Sequence, residues 1–459
     1  MDSDLILVIV VVTALAFDFT NGFHDTANVV ATSISTGAAS PKVAIAYASI
    51  LNFVGAFISI QVAATIASDV VDPEAITSLN VVFAGLMGAI TWNLITWYYG
   101  LPSSSSHALI GGIVGSAVAA VGSDAVEMAG LLGKVLIPAI IAPFLAFFVA
   151  AGAITICYRV VGRLRPGPVG RGFRLGQIGS GGMLALAHGT NDAQKTMGVI
   201  TLALIANGNL PAGADPPTWV IFSAATAISL GTYSGGWRII KTTGMRIIKM
   251  DAAQGFSAQG AGAAVILAST HFGFPLSTTH VINGGVMGSG IAKRLSAVRW
   301  GVAGNIVTAW ILTLPAAALM GAIFYGITVL LGGGVAGPIV LSVIALVLIV
   351  IAMITRARRG APVSAESAGY DLIDDPDRFC SRCEPAAPGH RGFDHRRDHG
   401  HHRRLPGHLG CCQVRRLQPV RPWCRGRRGA HGQHLRTGRH LCDHRSDHLP
   451  DDRRTQIAA

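Results

Sequence analysis

Asn21-Gly22-Phe23-His24-Asp25-Thr26-Ala27-Asn28 is echoed later in the chain by His188-Gly189-Thr190-Asn191-Asp192-Ala193-Gln194-Lys195. A second pair follows in the same order. Pro102-Ser103-Ser104-Ser105-Ser106-His107 is answered by Pro275-Leu276-Ser277-Thr278-Thr279-His280, and Gly111, Gly112 and Gly115 by Gly284, Gly285 and Gly288. All four segments lie within long apolar sequence, where an unsatisfied carboxylate, amide or hydroxyl costs several kcal/mol. Polar groups kept there in duplicate mark a solute-binding centre shared by two halves. The fold this predicts is an all-α polytopic membrane protein: about ten transmembrane helices plus re-entrant or broken helices, in two inverted repeats.

The composition agrees. Apolar residues make up 51% of the 459 and charged residues 13%. The runs from Leu5 to Phe17, Val135 to Cys157, Val302 to Leu331 and Pro338 to Ile354 are long enough, singly or with their neighbours, to cross a bilayer. The first reads as a span, not a removable signal peptide, because Met1-Asp2-Ser3-Asp4 is acidic. The net charge of +12 divides evenly, with 18 Lys and Arg against 12 Asp and Glu both in residues 1–359 and in residues 360–459. In the membrane part the excess sits in short loops, which points to a lipid bilayer and away from nucleic acid. Arg159, Arg163, Arg165, Arg171 and Arg174, then Arg238, Lys241, Arg246 and Lys249, then Lys293, Arg294 and Arg299, and finally Arg356, Arg358 and Arg359 fall on the cytoplasmic side by the positive-inside rule. The acidic stretches Asp2 with Asp4, Asp69 to Glu74, and Asp124 to Glu127 fall outside. Residues 1–158 then form the first inverted repeat, 159–177 a basic cytoplasmic loop, 178–355 the second repeat, and 356–459 a tail. A multi-pass protein of the cell inner (plasma) membrane is expected.

Asp25 and Asp192 are hard oxygen ligands, suited to an alkali cation or to carrying a proton, and Asn21, Asn28, Asn191 and Gln194 add carbonyl oxygens and amide donors. Each repeat thus offers half a cation site. In the other pair of segments a Pro and a hydroxyl-rich run precede a Gly-rich apolar stretch, so Ser104, Ser105, Ser106 and Ser277, Thr278, Thr279 lie where a helix begins. The free N–H groups and positive dipole end of such a start favour an oxyanion. Two carboxylates repel an anion unless cations bind with it, which is a physical basis for ion-coupled transport. The plainer reading for Ser103 and Ser106 is a bond back to a preceding carbonyl. Lys195 either pairs with Asp192 on one helix face or attracts the anion. His24, His107, His188 and His280 either relay protons or act as packing donors. The Gly-rich stretches read as close-packing faces. No resident cofactor and no structural metal site are expected.

The segments Gly22 to Thr32, Ala187 to Gly198, Gly235-Gly236-Trp237-Arg238-Ile239-Ile240-Lys241-Thr242 and Pro275 to His280 resemble the inorganic phosphate transporter (PiT) family in its bacterial, low-affinity branch. The resemblance runs from about residue 4 to about residue 355. It implies symport of inorganic phosphate, in bacteria often as a neutral complex with a divalent metal, driven by protons, with sodium as the coupling ion in other members. It also implies that Asp25, Asn28, Asn191 and Asp192 are the signature carboxylates and amides, and that Ser104, Ser105, Ser277, Thr278 and Thr279 line the phosphate site. A homodimer suits the family.

Two alternatives stand beside that reading. One is a permease for another tetrahedral oxyanion such as sulfate. The other is an intramembrane hydrolase using Asp25 and Asp192 as acid and base, although no Gly-x-Ser-x-Gly elbow or His-Glu-x-x-His stands at the repeats. The last hundred residues differ in kind. They hold 18 Arg, 11 His, six of the seven Cys and not one Lys. This bias resembles an out-of-frame reading of a GC-rich gene, and Cys380-Ser381-Arg382-Cys383 and Cys411-Cys412 lack the repeated spacing of a zinc module.

Overall fold

The computed structural model describes residues 2–71 and 78–358. The cysteine-bearing tail, Arg359, and the stretch from Asp72 to Glu74 lie outside the described residues. Among those described there are thirteen α-helices of five residues or more: α1 Asp2–Ser35, α2 Pro41–Gly55, α3 Gln61–Ser68, α4 Leu79–Tyr99, α5 Ser105–Val121, α6 Ile137–Val161, α7 Pro166–Ala206, α8 Thr218–Ser234, α9 Trp237–Lys241, α10 Ala252–His271, α11 Thr278–Ile291, α12 Trp300–Leu330 and α13 Ala336–Arg358. The only β feature described is an isolated antiparallel bridge between Val71 and Val126.

Four segments, Ser3–Ser35, Leu79–Tyr99, Met128–Val161 and Trp300–Leu330, are long and apolar enough to cross a membrane, with Ser105–Val121 and Ala336–Leu348 as shorter apolar helices. The apolar surface follows. Ile140, Phe144 and Phe148 of α6 and Ile311, Leu312 and Leu319 of α12 are all exposed, a burden in water and a match for lipid. The chain is therefore a multi-pass, all-α membrane protein. The connection expected over 159–177 is instead helical from Pro166, which occupies the first turn of the 41-residue α7. A Pro there has the helical φ already set and lacks only an N–H that would go unpaired.

Packing recurs with the two sets α1–α6 and α7–α12 exchanged. α5 lies along α12 and α11 along α6; α1 packs on α8 and α7 on α2; α4 meets α5 as α10 meets α11. Glycine makes the first of these contacts possible. An added Cβ at Gly115 would stand 1.9 Å from the Ala318 carbonyl oxygen, and one at Gly288 would stand 2.1 Å from that of Phe147. The largest buried apolar cluster joins Val10, Ala14 and Phe17 of α1 to Phe83 and Leu86 of α4, Leu109 of α5, and Met197 and Ile200 of α7. Gly115→Ala and Gly288→Ala should each lower thermal stability in detergent by roughly 1–3 kcal/mol through overpacking. Gly152→Ala, where the new Cβ meets nothing within 4 Å, should not; equal melting of all three would contradict this packing.

Candidate functional site

Two helix interruptions create the site. α4 ends at Gly100 (φ 66°) and α10 is followed by Gly273 (φ 73°), both in the left-handed region that favours glycine. The backbone bonds are the same in both places: Gly100 N–H to Trp97 O and Leu101 N–H to Thr96 O, against Gly273 N–H to Thr270 O and Phe274 N–H to Ser269 O. These are Schellman closures. Each stops its helix, and a short extended stretch then leads into α5 or α11. Ser104 caps α5 by accepting from His107 N–H (3.1 Å), and Ser277 caps α11 by accepting from His280 N–H (3.3 Å). The helix starts fall where the sequence places them. The hydroxyls of Ser104 and Ser277 are committed to the backbone, whereas Ser105, Ser106, Thr278 and Thr279 face inward.

The motif helices α1 and α7 bring their carboxylates to these starts. The Ser105 hydroxyl lies 2.5 Å from Asp25 Oδ2, and Thr278 donates to Asp192 Oδ2 at 3.3 Å. Asn28 Nδ2 donates to Thr279 Oγ1 (2.9 Å), and in the matching place Lys195 Nζ donates to Ser106 Oγ (2.6 Å). Thr279 also donates to Asp25 Oδ1 at 3.4 Å. Candidate cation ligands and candidate anion ligands thus form one cluster. Lys195, 0% exposed, pairs with Asp192, as its place on the helix suggests, and also reaches across to Ser106 and to the Leu276 carbonyl. Ser106 and Ser103 do not bond back along their own helix: Ser106 donates to Leu276 O, and Ser103 to Thr96 Oγ1.

His188 carries the most specific geometry. The Thr232 hydroxyl donates to Ile228 O (2.9 Å), so its oxygen accepts from Asn52 Nδ2 (2.8 Å), which leaves Asn52 Oδ1 as the acceptor facing His188 Nδ1 (3.2 Å). This chain of donors places the imidazole hydrogen on Nδ1. Nε2 then presents a lone pair 3.1 Å from Asp192 Oδ2. Two acceptors face each other, an arrangement that a cation between them relieves. Ligand atoms of Asp25, His188 and Asp192 all lie within 4.8 Å of one another, and all three residues are buried. An outer hydrogen bond that fixes the tautomer is the usual support of a metal-ligating histidine.

The remaining candidates separate. His24 Nδ1 bonds Asp25 Oδ1 (2.7 Å) and its Nε2 meets Thr96 Oγ1 (3.2 Å), so it orients that carboxylate. Asn21 Oδ1 lies 2.6 Å from the Ser105 hydroxyl. Asn191 donates to Thr270 Oγ1 and to Phe274 O, bracing the second interruption. Gln194 stands apart from the cluster: its Oε1 accepts from Val62 and Ala63 N–H at the start of α3, and its Nε2 donates to Thr190 O. His107 and His280 meet edge to face, ring centroids 4.8 Å apart, with His280 stacked on Trp310. Asp18 lies outside the repeated motifs. It is fully buried on α1 and lies seven residues before Asp25, but the matching position in the second copy is Ala185. A charge inside an apolar run was the signal available.

Comparison with known proteins identifies the family. The family described as the phosphate transporter family matches the chain twice, over residues 21–169 and 163–321. A protein of Mycobacterium tuberculosis (strain ATCC 25618 / H37Rv) named probable low-affinity inorganic phosphate transporter is 55% identical over 329 residues, covering 72% of this chain and 79% of that one. One of the same name from Bacillus subtilis is 47% identical over 327 residues, covering 71% and 98%. A solved structure described as the sodium-dependent phosphate transporter shares the fold, with a TM-score of 0.64 and 24% identity, over 71% of this chain and 99% of that one. The chain belongs to the phosphate transporter family.

Proposed function

We propose that this protein imports inorganic phosphate across the cell inner membrane as a complex with a divalent metal, by symport with protons or sodium ions. The observation that carries the reading is the meeting of Asp25, His188 and Asp192 within 4.8 Å at the two hydroxyl-bearing helix starts. One imidazole with two carboxylates suits a divalent cation better than an alkali ion. The centre sets the Asp25 and Asp192 carboxylates against one lysine, Lys195, so a bare phosphate meets more carboxylate than ammonium. A metal at the carboxylates removes that barrier. Phosphate then settles between the starts of α5 and α11, against Ser105, Thr278 and Thr279, with the capped first turns of Ser104 and Ser277 supplying backbone N–H groups. Asn21, Asn28 and Asn191 position the carboxylates and hydroxyls, His24 and Lys195 hold one carboxylate each, and the His107–His280 pair sits where the two helix starts meet.

Alternating access completes the reading. Residues 1–158 and 178–355 act as inverted repeats carrying about ten crossings, and one half rocks against the other around the loaded site. The double family match and the exchanged packing of the two helix sets support it. An empty site leaves unpaired charge buried, which disfavours the crossing. The relatives are named transporters, which favours transport over hydrolysis.

Labelled phosphate uptake into proteoliposomes, under a proton or a sodium gradient, tests the reading. Uptake should require a gradient and divalent metal, and should be blocked by arsenate and not by sulfate; block by sulfate alone would turn the assignment to another oxyanion. Asp25→Asn and Asp192→Asn should each abolish coupled uptake in folded protein, and normal transport by both would sink the scheme. Ser105→Ala and Thr278→Ala should raise the half-saturating phosphate concentration about fivefold, the loss of about 1 kcal/mol of hydrogen bonding. A change confined to cation dependence would refute that role. His188→Ala should remove the metal requirement together with most of the uptake, and an unchanged metal dependence would place the metal elsewhere.

A further inference from the structure

From the centre to the end of α1, three polar residues stand four apart: Asn28, Thr32 and Thr36, on one face of the helix and spread over about 12 Å. Helices α7 and α10 add to them. Thr36 donates to Gln177 Oε1 (2.7 Å), Ser180 to Gln259 Oε1 (3.2 Å), and Gln259 Nε2 to the Ser33 hydroxyl (2.8 Å) and to the carbonyl of Val29 (3.3 Å), the residue after Asn28. Glycine makes room for the amides: a Cβ added at Gly255 would overlap Gln177 Nε2, and one at Gly181 would stand 3.1 Å from Gln259 Nε2. The network is not saturated, because the Thr32 hydroxyl and Gln177 Nε2 are buried without partners among the described residues. It reaches the surface at half-buried Thr36, on the side that the basic loops assign to the cytoplasm.

The matching route on the other side is built differently. Positions matched as Asp25 is with Asp192 put Val199, Ile200 and Ala203 in the places of Thr32, Ser33 and Thr36, and Val10 in the place of Gln177; matched as Gly100 is with Gly273, Leu86 stands for Gln259. All five are fully buried in the largest apolar cluster. Thr13 stands for Ser180 and donates to the Ile9 carbonyl of its own helix (2.7 Å). Opening the two sides therefore differs in kind. Parting the amides and hydroxyls exchanges hydrogen bonds for similar ones with water or a passing oxyanion, whereas parting the apolar cluster puts hydrocarbon into water with no compensation.

We propose that the route between α1, α7 and α10 is the cytoplasmic exit for an oxyanion, handed along the hydroxyls and amides of Thr32, Ser33, Thr36, Gln177, Ser180 and Gln259, and that the unloaded protein opens on this side in preference to the other. The chemistry fits such a cargo. Hydroxyl and amide hydrogens bond phosphate oxygens, the side-chain carbonyl oxygens accept from a protonated phosphate or meet its metal, and no formal charge stands among the six to hold either. Thr32 and Gln177 Nε2, unspent while the route is closed, are free to meet the cargo first. That the cargo is phosphate rests on the phosphate reading; the side that opens does not.

The test is labelling by a water-soluble methanethiosulfonate of the full chain, its seven cysteines replaced by serine, in detergent without phosphate, metal or gradient. Thr32→Cys is compared with Val199→Cys, and Ser33→Cys with Ile200→Cys; all four positions are buried in this structure. Labelling should be about tenfold faster at Thr32 and Ser33 than at their counterparts, since it reports how often each side opens. Equal rates, or faster labelling at Val199 and Ile200, overturn the inference. Gln259→Leu, which copies the matching residue, should slow the labelling at Thr32 and lower maximal phosphate uptake about tenfold while the half-saturating concentration stays near wild type, the mark of an impaired release step. Gln259→Asn keeps the amide and should recover most of both. A Gln259→Leu variant that labels and turns over as wild type does overturns the exit, and the labelling pairs decide the matter if that variant fails to fold. Preferential labelling at Thr32 and Ser33 in a protein that moves no phosphate would overturn the phosphate reading alone.

Discussion

Carboxylates held at membrane depth have to be compensated, and most of the structure around the centre follows from that requirement. Asp25 is held by His24, Ser105 and Thr279, and Asp192 by Lys195, Thr278 and His188. These partners come from four helices, so the carboxylates also draw the helices together. Two Schellman glycines, Gly100 and Gly273, interrupt α4 and α10 to deliver hydroxyl-bearing helix starts at the right depth. The glycine faces of α5 and α11 then let those short helices lie directly on the backbones of α12 and α6. Leaving any of these partners out strands a buried charge, which costs several kcal/mol.

The frame is duplicated, but the chemistry on it is not. Asn28 and Lys195 occupy matching places and reach matching hydroxyls, Thr279 and Ser106, yet one is a neutral amide and the other an ammonium. Asn21 corresponds to His188, and Asp18 to Ala185. A symmetric scaffold suits a centre that opens to either side. The departures from symmetry give the first copy an extra carboxyl group and the second a lysine, and they set the imidazole at different places, His24 in one copy and His188 in the other. On the proposed reading, the second copy holds the metal's nitrogen ligand.

Much of this was legible in the residues. The apolar composition predicts the membrane class, and the duplicated motifs predict that Asp25 and Asp192 share a centre with Ser105, Thr278 and Thr279. Hydroxyls after Pro102 and Pro275 mark helix starts because Ser caps a helix better than it continues one. What stayed hidden depends on contacts between distant segments. His188 reads as a ligand only once Thr232 and Asn52 fix its tautomer, and both lie far from it in sequence. Gln194 looks like a ligand in the motif, but its amide is spent on the start of α3. Asp18 is a charge in an apolar run, but it falls outside the repeated motifs because Ala185 stands at the matching position. The segment 159–177, glycine-rich and basic, resembles a loop; Pro166 and the length of α7 make its second half helix.

The central claim is that the two motif copies meet to hold a cation on which phosphate depends. The most direct test is anomalous scattering from crystals of the full chain grown with manganese and phosphate. The account predicts a manganese ion bound by Asp25, His188 and Asp192, with phosphate between the ion and the starts of α5 and α11. Phosphate bound at those helix starts with no cation on the carboxylates, or manganese found only at the surface, would contradict it.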